Sequence, residues 1–337
     1  MEYCQLGNSG LKVSKVILGC MSFGSPQWMP WIKDEEASLP LLKHAYDMGI
    51  NTWDTADVYS HGESERIIGK AICRYKIPRK NLVLLSKCYF PVVEDDSQPA
   101  FSMSVTNDAE RVNLMGLSRK HIFDAVDDSV DRLGTYVDVL QIHRLDRETR
   151  KEEIMKALND VVESGKVRYI GASSMATWEF QTLQNIAEKH GWHKFISMQN
   201  YHNLIYREEE REMIPYCKAT GIGLIPWSPV ARGALARSFN DRESLREKTD
   251  PNVNTRARSS EADQMIIERV ERIAKKHKVS MAAVATSWCI RSGDCPIIGL
   301  SSIERIDETV HNVKFKLEDE DANFLEEPYE PKKVQGY

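Results

Sequence analysis

Eight short runs of Val, Ile and Leu alternate with longer stretches of helical periodicity along these 337 residues. The runs are VILGC (16–20), INTWDT (50–55), LVLLSK (82–87), VDVLQIH (137–143), VRYIGAS (167–173), FISMQN (195–200), GLIPWS (223–228) and CPIIGL (295–300). Near-continuous apolar strands joined by helices imply a parallel sheet covered on both faces. The helical patterns fall at about 35–48, 63–75, 119–133, 150–164, 177–190, 208–220, 263–291 in two pieces, and 303–313. Eight such units predict an α/β fold of one kind, a closed (β/α)8 TIM barrel. An open doubly wound sheet usually carries a Gly-rich phosphate loop after its first strand. Here that strand runs into GCMSFGSPQW, which is not GxGxxG. Residues 1–337 are read as one domain.

Before the first strand, QLGNSGLKVSKV reads as a β-hairpin with Asn8, Ser9 and Gly10 in the turn, a cap for the bottom of the barrel. Two long polar insertions, about 89–118 and 230–262, follow the third and seventh strands. Both therefore belong to the C-terminal face, where barrel enzymes keep their active sites.

Several function classes lack support. A net charge of -5 with no long basic block argues against nucleic acid. No apolar run approaches the ~20 residues of a membrane helix, so no membrane partner is expected. MEYCQLGNSG lacks the basic-then-apolar pattern of a signal peptide. Seven cysteines without CxxC spacing fit free thiols in a reducing, cytoplasmic setting. Zinc spacing, GxSxG and GxxxxGK[ST] are all missing, so metal, serine-hydrolase and triphosphatase chemistry are not expected.

The chemistry gathers at the strand ends. Asp54 closes the second run, Tyr59 follows it, Lys87 closes the third and His143 the fourth. An ammonium ending the buried strand LVLLSK is costly without a partner, and Asp54 stands at the same level on the neighbouring strand. A cation beside Tyr59 is expected to lower the phenol pKa from about 10 towards the working range. Such a tyrosine exchanges a proton with a carbonyl or alcohol oxygen, and His143 orients that oxygen. The groups together stabilise a developing alkoxide. Any one alone is more often structural; the four at one end of three consecutive strands read as a site.

These residues, with LGNSGLKVSKVILGCMSFG, WDTADVYSHGESERIIG and PIIGLSSIERIDE, resemble the aldo-keto reductase family over nearly the whole chain. The lean is towards its fungal or bacterial branch of aryl-aldehyde and aryl-alcohol dehydrogenases. The resemblance implies that Tyr59 is the general acid, tuned by Lys87 and Asp54, with hydride from a nicotinamide cofactor. It implies Ser173, Ser174 and Gln199 at the carboxamide, Trp227 stacked on the ring, and Ser228, Pro229, Val230, Arg232 and Gly233 around the pyrophosphate. Ser301, Ser302 and Arg305 match a 2′-phosphate pocket, which favours NADPH over NADH, and Glu308 and Thr309 match the adenine side. Ser174 and Thr309 stand where Asn is more usual.

Aromatic and apolar groups near the tetrad suggest an aryl or medium-chain aldehyde or ketone. Candidate substrate contacts are Phe23, Trp28, Trp31, Tyr89 and Arg144, with Met29 and Phe90 beside them. Asp57 is read as a loop-structuring residue and His61 as a rim residue. The expected assembly is a monomer or weak homo-oligomer. A second reading is a redox-sensing, cofactor-binding subunit resembling potassium-channel β subunits, which share the barrel and the tetrad.

Overall fold

Side chains of a β-strand alternate between its two faces, and this parity separates barrel interior from outer wrapping. In β5 (Val83–Cys88), Val83, Leu85 and Lys87 share one face and Leu84, Ser86 and Cys88 the other. Leu84 and Cys88 join the core beneath the helices, whereas Val83 and Leu85 pack inside the barrel with Ile17, Val139 and Ile225. The inward row of β5 thus starts apolar and ends in a cation.

The computed structural model describes residues 1–93, 109, 112–250 and 252–337. Its parallel sheet has the order β10-β3-β4-β5-β6-β7-β8-β9. The remaining strands are β3 (Ile17–Gly19), β4 (Thr52–Asp54), β6 (Val137–Ile142), β7 (Val167–Ser173), β8 (Phe195–Gln199), β9 (Gly223–Leu224) and β10 (Ile297–Ile298). The two edges meet: Cys295 N donates to Leu224 O and Ile297 N to Pro226 O, each at 2.9 Å. The sheet closes on itself, and the fold is the expected (β/α)8 barrel. β9 and β10 are shorter than the runs at 223–228 and 295–300 because Pro226 and Pro296 have no N–H to give a ladder.

Helices wrap the sheet: α1 (Glu35–Asp47), α2 (Glu63–Arg74), α3 (Arg119–Leu133), α4 (Lys151–Glu163), α5 (Thr177–His190) and α6 (Met213–Thr220). After β9 come α7 (Leu245–Thr249), α8 (Asn252–Ala257), α9 (Glu261–His277) and α10 (Met281–Arg291), and after β10, α11 (Ile303–Asn312) and α12 (Asp319–Glu326). Their ends follow capping chemistry. Ser118 accepts from His121 N at the start of α3, and Gly134 ends that helix in the left-handed conformation. Most of the 89–118 insertion lies outside the described residues. The 230–262 insertion is folded, as a 3₁₀ turn (Ala231–Ala236) followed by α7 and α8.

The predicted hairpin is present: β1 (Tyr3–Gln5) pairs antiparallel with β2 (Lys12–Ser14). Asn8 N donates to Gly221 O at 2.7 Å, just ahead of β9. Gly7, at φ +56°, passes so close that an added Cβ would lie 2.4 Å from the backbone of Gly221 and Gly223. Leu6 and Val13 fill the lower barrel beside Ile17, Val83 and Ile297. The bottom is plugged, and the strand C-termini form the mouth.

Candidate active site

Register brings the polar strand ends together. Asp54 pairs with Leu85, Lys87 with Gln141 and Ser173 with Gln199. Lys87 Nζ donates to Asp54 Oδ1 at 2.6 Å, to Thr55 O at 2.8 Å and to Tyr59 Oη at 3.2 Å. Gln141 and Gln199 each donate an amide hydrogen to Asp54 Oδ2 at 2.9 Å. Tyr59 and His143 face each other edge-on, ring centroids 5.9 Å apart. Asp54, Tyr59, Lys87 and His143 therefore form one buried cluster.

Burial disfavours the Lys87 cation, but Asp54 and then Tyr59 outweigh it and hold its pKa above the ordinary value. Tyr59 corrects the sequence reading. Its pKa is raised, chiefly by burial; Lys87 pulls it down but Asp54 pushes it up. The cation is half of a tight ion pair, so Asp54 offsets part of its pull on the phenol, and burial outweighs the rest. Burial, then Arg144 and Lys87, hold the His143 pKa well below its usual value. At neutral pH the pair is a phenol and a neutral imidazole.

These groups open onto a cavity of about 1100 Å³. Tyr59, His143 and Asp54 line it. So do Ser173, Gln199, Trp227, Ser228, Pro229, Val230, Arg232 and Gly233, and Ser301, Arg305, Glu308 and Thr309. Ser174 and Ser302 are not on the wall. Ser174 is buried and accepts from Trp227 Nε1 at 3.1 Å, and Ser302 caps α11 by accepting from Arg305 N. Trp28, Trp31 and Arg144 line the cavity, with Met29 and Phe90. Phe23 does not: it lies fully buried in the core between barrel and helices. Nor does Tyr89, which packs edge-on against Phe90 at 5.0 Å. His61, expected at the rim, is buried, and its Nδ1 accepts from Val93 N at 3.2 Å. Asp57 is buried and accepts from Val58 N; burial and Glu65 raise its pKa well above the usual carboxylate range.

Two contributors escaped the sequence reading. Gln141 links Asp54 to Gln199, whose Nε2 also donates to Gln141 Oε1 at 2.8 Å. Its position two residues before His143, on the same strand face, was the available signal. The other is the chain end. Gly336 passes 3.2 Å, measured from an added Cβ, from the Trp227 ring, and Tyr337 Oη donates to Glu209. Beneath Trp227, Tyr201 stacks at 4.3 Å and then Tyr206 at 4.6 Å. Trp227 thereby touches both a stack of tyrosines and the tail.

A dinucleotide fits what lines the cavity. Ser228, Ala231 and Arg232 hold positive φ values of 59°, 47° and 58°, backbone strain of the kind that clusters at ligand sites. Two enclosed atoms, Glu308 Oε1 and Arg232 Nε, have no hydrogen-bond partner among the described residues. Arg232 and Arg246 share one carboxylate, Asp250, at 2.7 and 3.3 Å, which leaves a positive excess suited to phosphate. No group of three or more His, Cys, Asp or Glu among the described residues is placed to hold a metal. All seven cysteines are unpaired, and no described helix is long and apolar enough to cross a membrane.

A closed (β/α)8 barrel with a Tyr–Lys–Asp–His cluster under a long cavity at its mouth has the architecture of a carbonyl oxidoreductase. The aldo/keto reductase family model matches residues 15–330. Versiconal hemiacetal acetate reductase of Aspergillus parasiticus is 63% identical over 99% of this chain and 98% of its own. A candidate aryl-alcohol dehydrogenase of Schizosaccharomyces pombe is 57% identical over 99% and 97%. An aldo-keto reductase of Metarhizium robertsii is 50% identical over 100% and 93%. The chain belongs to the aldo/keto reductase family.

Proposed function

We propose that this protein reduces an aldehyde or ketone to the alcohol with NADPH, with Tyr59 as general acid. The observation that carries this reading is Lys87 Nζ, which bridges Asp54 Oδ1 and Tyr59 Oη at 2.6 and 3.2 Å. The nicotinamide, when bound, supplies the hydride to the carbonyl carbon. The chain's own groups do the rest. The Tyr59 phenol donates its proton to the carbonyl oxygen as negative charge develops there. Lys87 then stabilises the phenolate left behind, and Asp54 keeps the lysine charged and fixed. Neutral His143 holds the oxygen by a hydrogen bond without competing for the proton. Ser173, Gln199 and Trp227 would hold the nicotinamide end of the cofactor, and Arg232, Ser301 and Arg305 its phosphates.

The substrate is expected to be aromatic or medium-chain. Trp28, Met29, Trp31 and Phe90 give that part of the cavity an apolar wall. Reductase- and aryl-alcohol-dehydrogenase-named relatives support the reading, and a hemiacetal, the group named in one of them, is the closed form of a hydroxy-aldehyde. The test is NADPH consumption with a panel of aromatic and aliphatic aldehydes and ketones, Tyr59→Phe beside the parent. Turnover that falls by about 10² or more in the variant, with NADPH still bound, is the expected result. Unchanged turnover in the variant sinks the mechanism. NADPH binding with no turnover of any carbonyl favours the redox-sensing subunit instead.

A further inference from the structure

Arg144 follows His143 out of β6 and lines the cavity close to Tyr59. A guanidinium carries five N–H donors. Among the described residues Arg144 forms one hydrogen bond, from Nη1 to the carbonyl of His143. No carboxylate among the described residues lies within 4.0 Å of it; Asp146, two residues on, is satisfied by Leu117 N, Glu148 N and Thr149. Arg256 of α8 lines the same cavity and likewise forms no ion pair among the described residues. Burial and the charge of Arg256 depress the Arg144 pKa, to about 10. Burial and the charge of Arg232 depress that of Arg256. Two other cavity arginines differ: Arg232 and Arg246 share Asp250. Two guanidiniums on one cavity wall, partly buried and without an ion-pair partner among the described residues, are an unfavourable arrangement unless something anionic comes beside them.

We infer that Arg144, with Arg256 on the wall of the same cavity, recognises a carboxylate on the carbonyl substrate. The substrate class is then an oxo- or formyl-carboxylic acid with an aromatic or apolar body. The apolar wall of Trp28, Met29, Trp31 and Phe90 takes the body, Tyr59 and His143 take the carbonyl, and the fork of Arg144 takes both carboxylate oxygens. The placement of Arg144 beside His143 also explains why the cation does not impede the reaction. Negative charge develops on the carbonyl oxygen, and a second positive group nearby favours it.

This inference rests on the reading of the cavity as a carbonyl-reducing site, and the experiment separates the two. The 3- and 4-formylbenzoates are compared with their methyl esters under NADPH, in the parent, Arg144→Gln and Arg144→Lys. The expected result is a kcat/KM preference of the parent for at least one carboxylate over its ester. Arg144→Gln should lose about 10- to 100-fold on that carboxylate and several-fold less on the ester. Arg144→Lys, which keeps the charge but not the fork, should fall between. Equal losses on acid and ester, or a parent that prefers both esters, overturn the inference. So does an NADPH affinity that falls in Arg144→Gln as far as the carboxylate's kcat/KM, because Arg144 would then serve the cofactor. If no aldehyde or ester is reduced, the reduction reading fails by itself. The subsite is then judged by 4-methylbenzoate binding to the NADPH-loaded protein, followed by tryptophan fluorescence. Binding that weakens at least about tenfold in Arg144→Gln supports the subsite, and binding that does not change overturns it.

Discussion

Gln141 Nε2 lies 2.9 Å from Asp54 Oδ2, reaching from β6 past β5 to the end of β4. With Gln199 on the same oxygen and Lys87 on the other, Asp54 is held from three strands. Gln141→Leu leaves Gln199 alone on that oxygen. The expected cost is about 1–3 kcal/mol of stability, and kcat falls about tenfold with little change in the carbonyl KM. Denaturant unfolding and steady-state kinetics check the two parts. An unchanged kcat would show that Asp54 needs no such support.

The directions of two pKa shifts fix a pH profile. His143 is neutral above its depressed pKa, and Tyr59 keeps its proton below its raised one. Reduction, followed as kcat/KM, should therefore be flat from about pH 6.5 to 9.5, between the ordinary values of the two groups. A fall with a midpoint near pH 8 would mean that the phenol is acidified in the free enzyme after all.

Arg305 is exposed, lines the cavity, and its Nη1 donates to Ser301 Oγ at 2.9 Å. Arg305→Ala should weaken NADPH about tenfold and NADH much less, because a guanidinium answers a phosphate, and solvent screens it. Titration of both cofactors checks this. Equal loss for both would place the phosphate reader elsewhere.

His202 is buried, with Nε2 bonded to Glu210 at 2.9 Å and Nδ1 3.4 Å from Asp294 without hydrogen-bond geometry. Burial opposes its cation, but the two carboxylates outweigh it and raise the pKa to about 9. A raised folded pKa means stability that is present below the unfolded value of about 6.5 and lost as pH rises through 9. Glu209, raised by burial to about 7, has largely titrated before the upper part of this window. Melting temperature should fall by roughly 4 °C between pH 7 and 9. His202→Gln should flatten that slope. A slope that survives in the variant assigns it to other groups.

The barrel was legible because its strands are buried on both faces and so read as unbroken apolar runs. The tetrad was legible because a lysine ending such a run demands an anion. What failed had physical causes as well. Pro226 and Pro296 cut the last two strands short, though their apolar runs continue. Phe23 and Tyr89 sit in segments adjoining the mouth, but packing turns them into the core and against Phe90, and sequence order does not specify that rotation. The sign at Tyr59 depended on burial and on how completely Asp54 offsets Lys87, which only the distances reveal. The tail at 328–337, EPYEPKKVQGY with its preceding residue, has no periodicity to mark its approach to Trp227.

The hairpin plug has a kinetic consequence. With Leu6 and Val13 filling the lower barrel, the cavity is reached from the mouth. Two ligands that share one doorway must queue. The one whose reactive end lies deeper enters before the other and departs after it, so turnover should follow a compulsory order, with departure of the inner ligand setting the pace whenever the cavity wall grips it tightly.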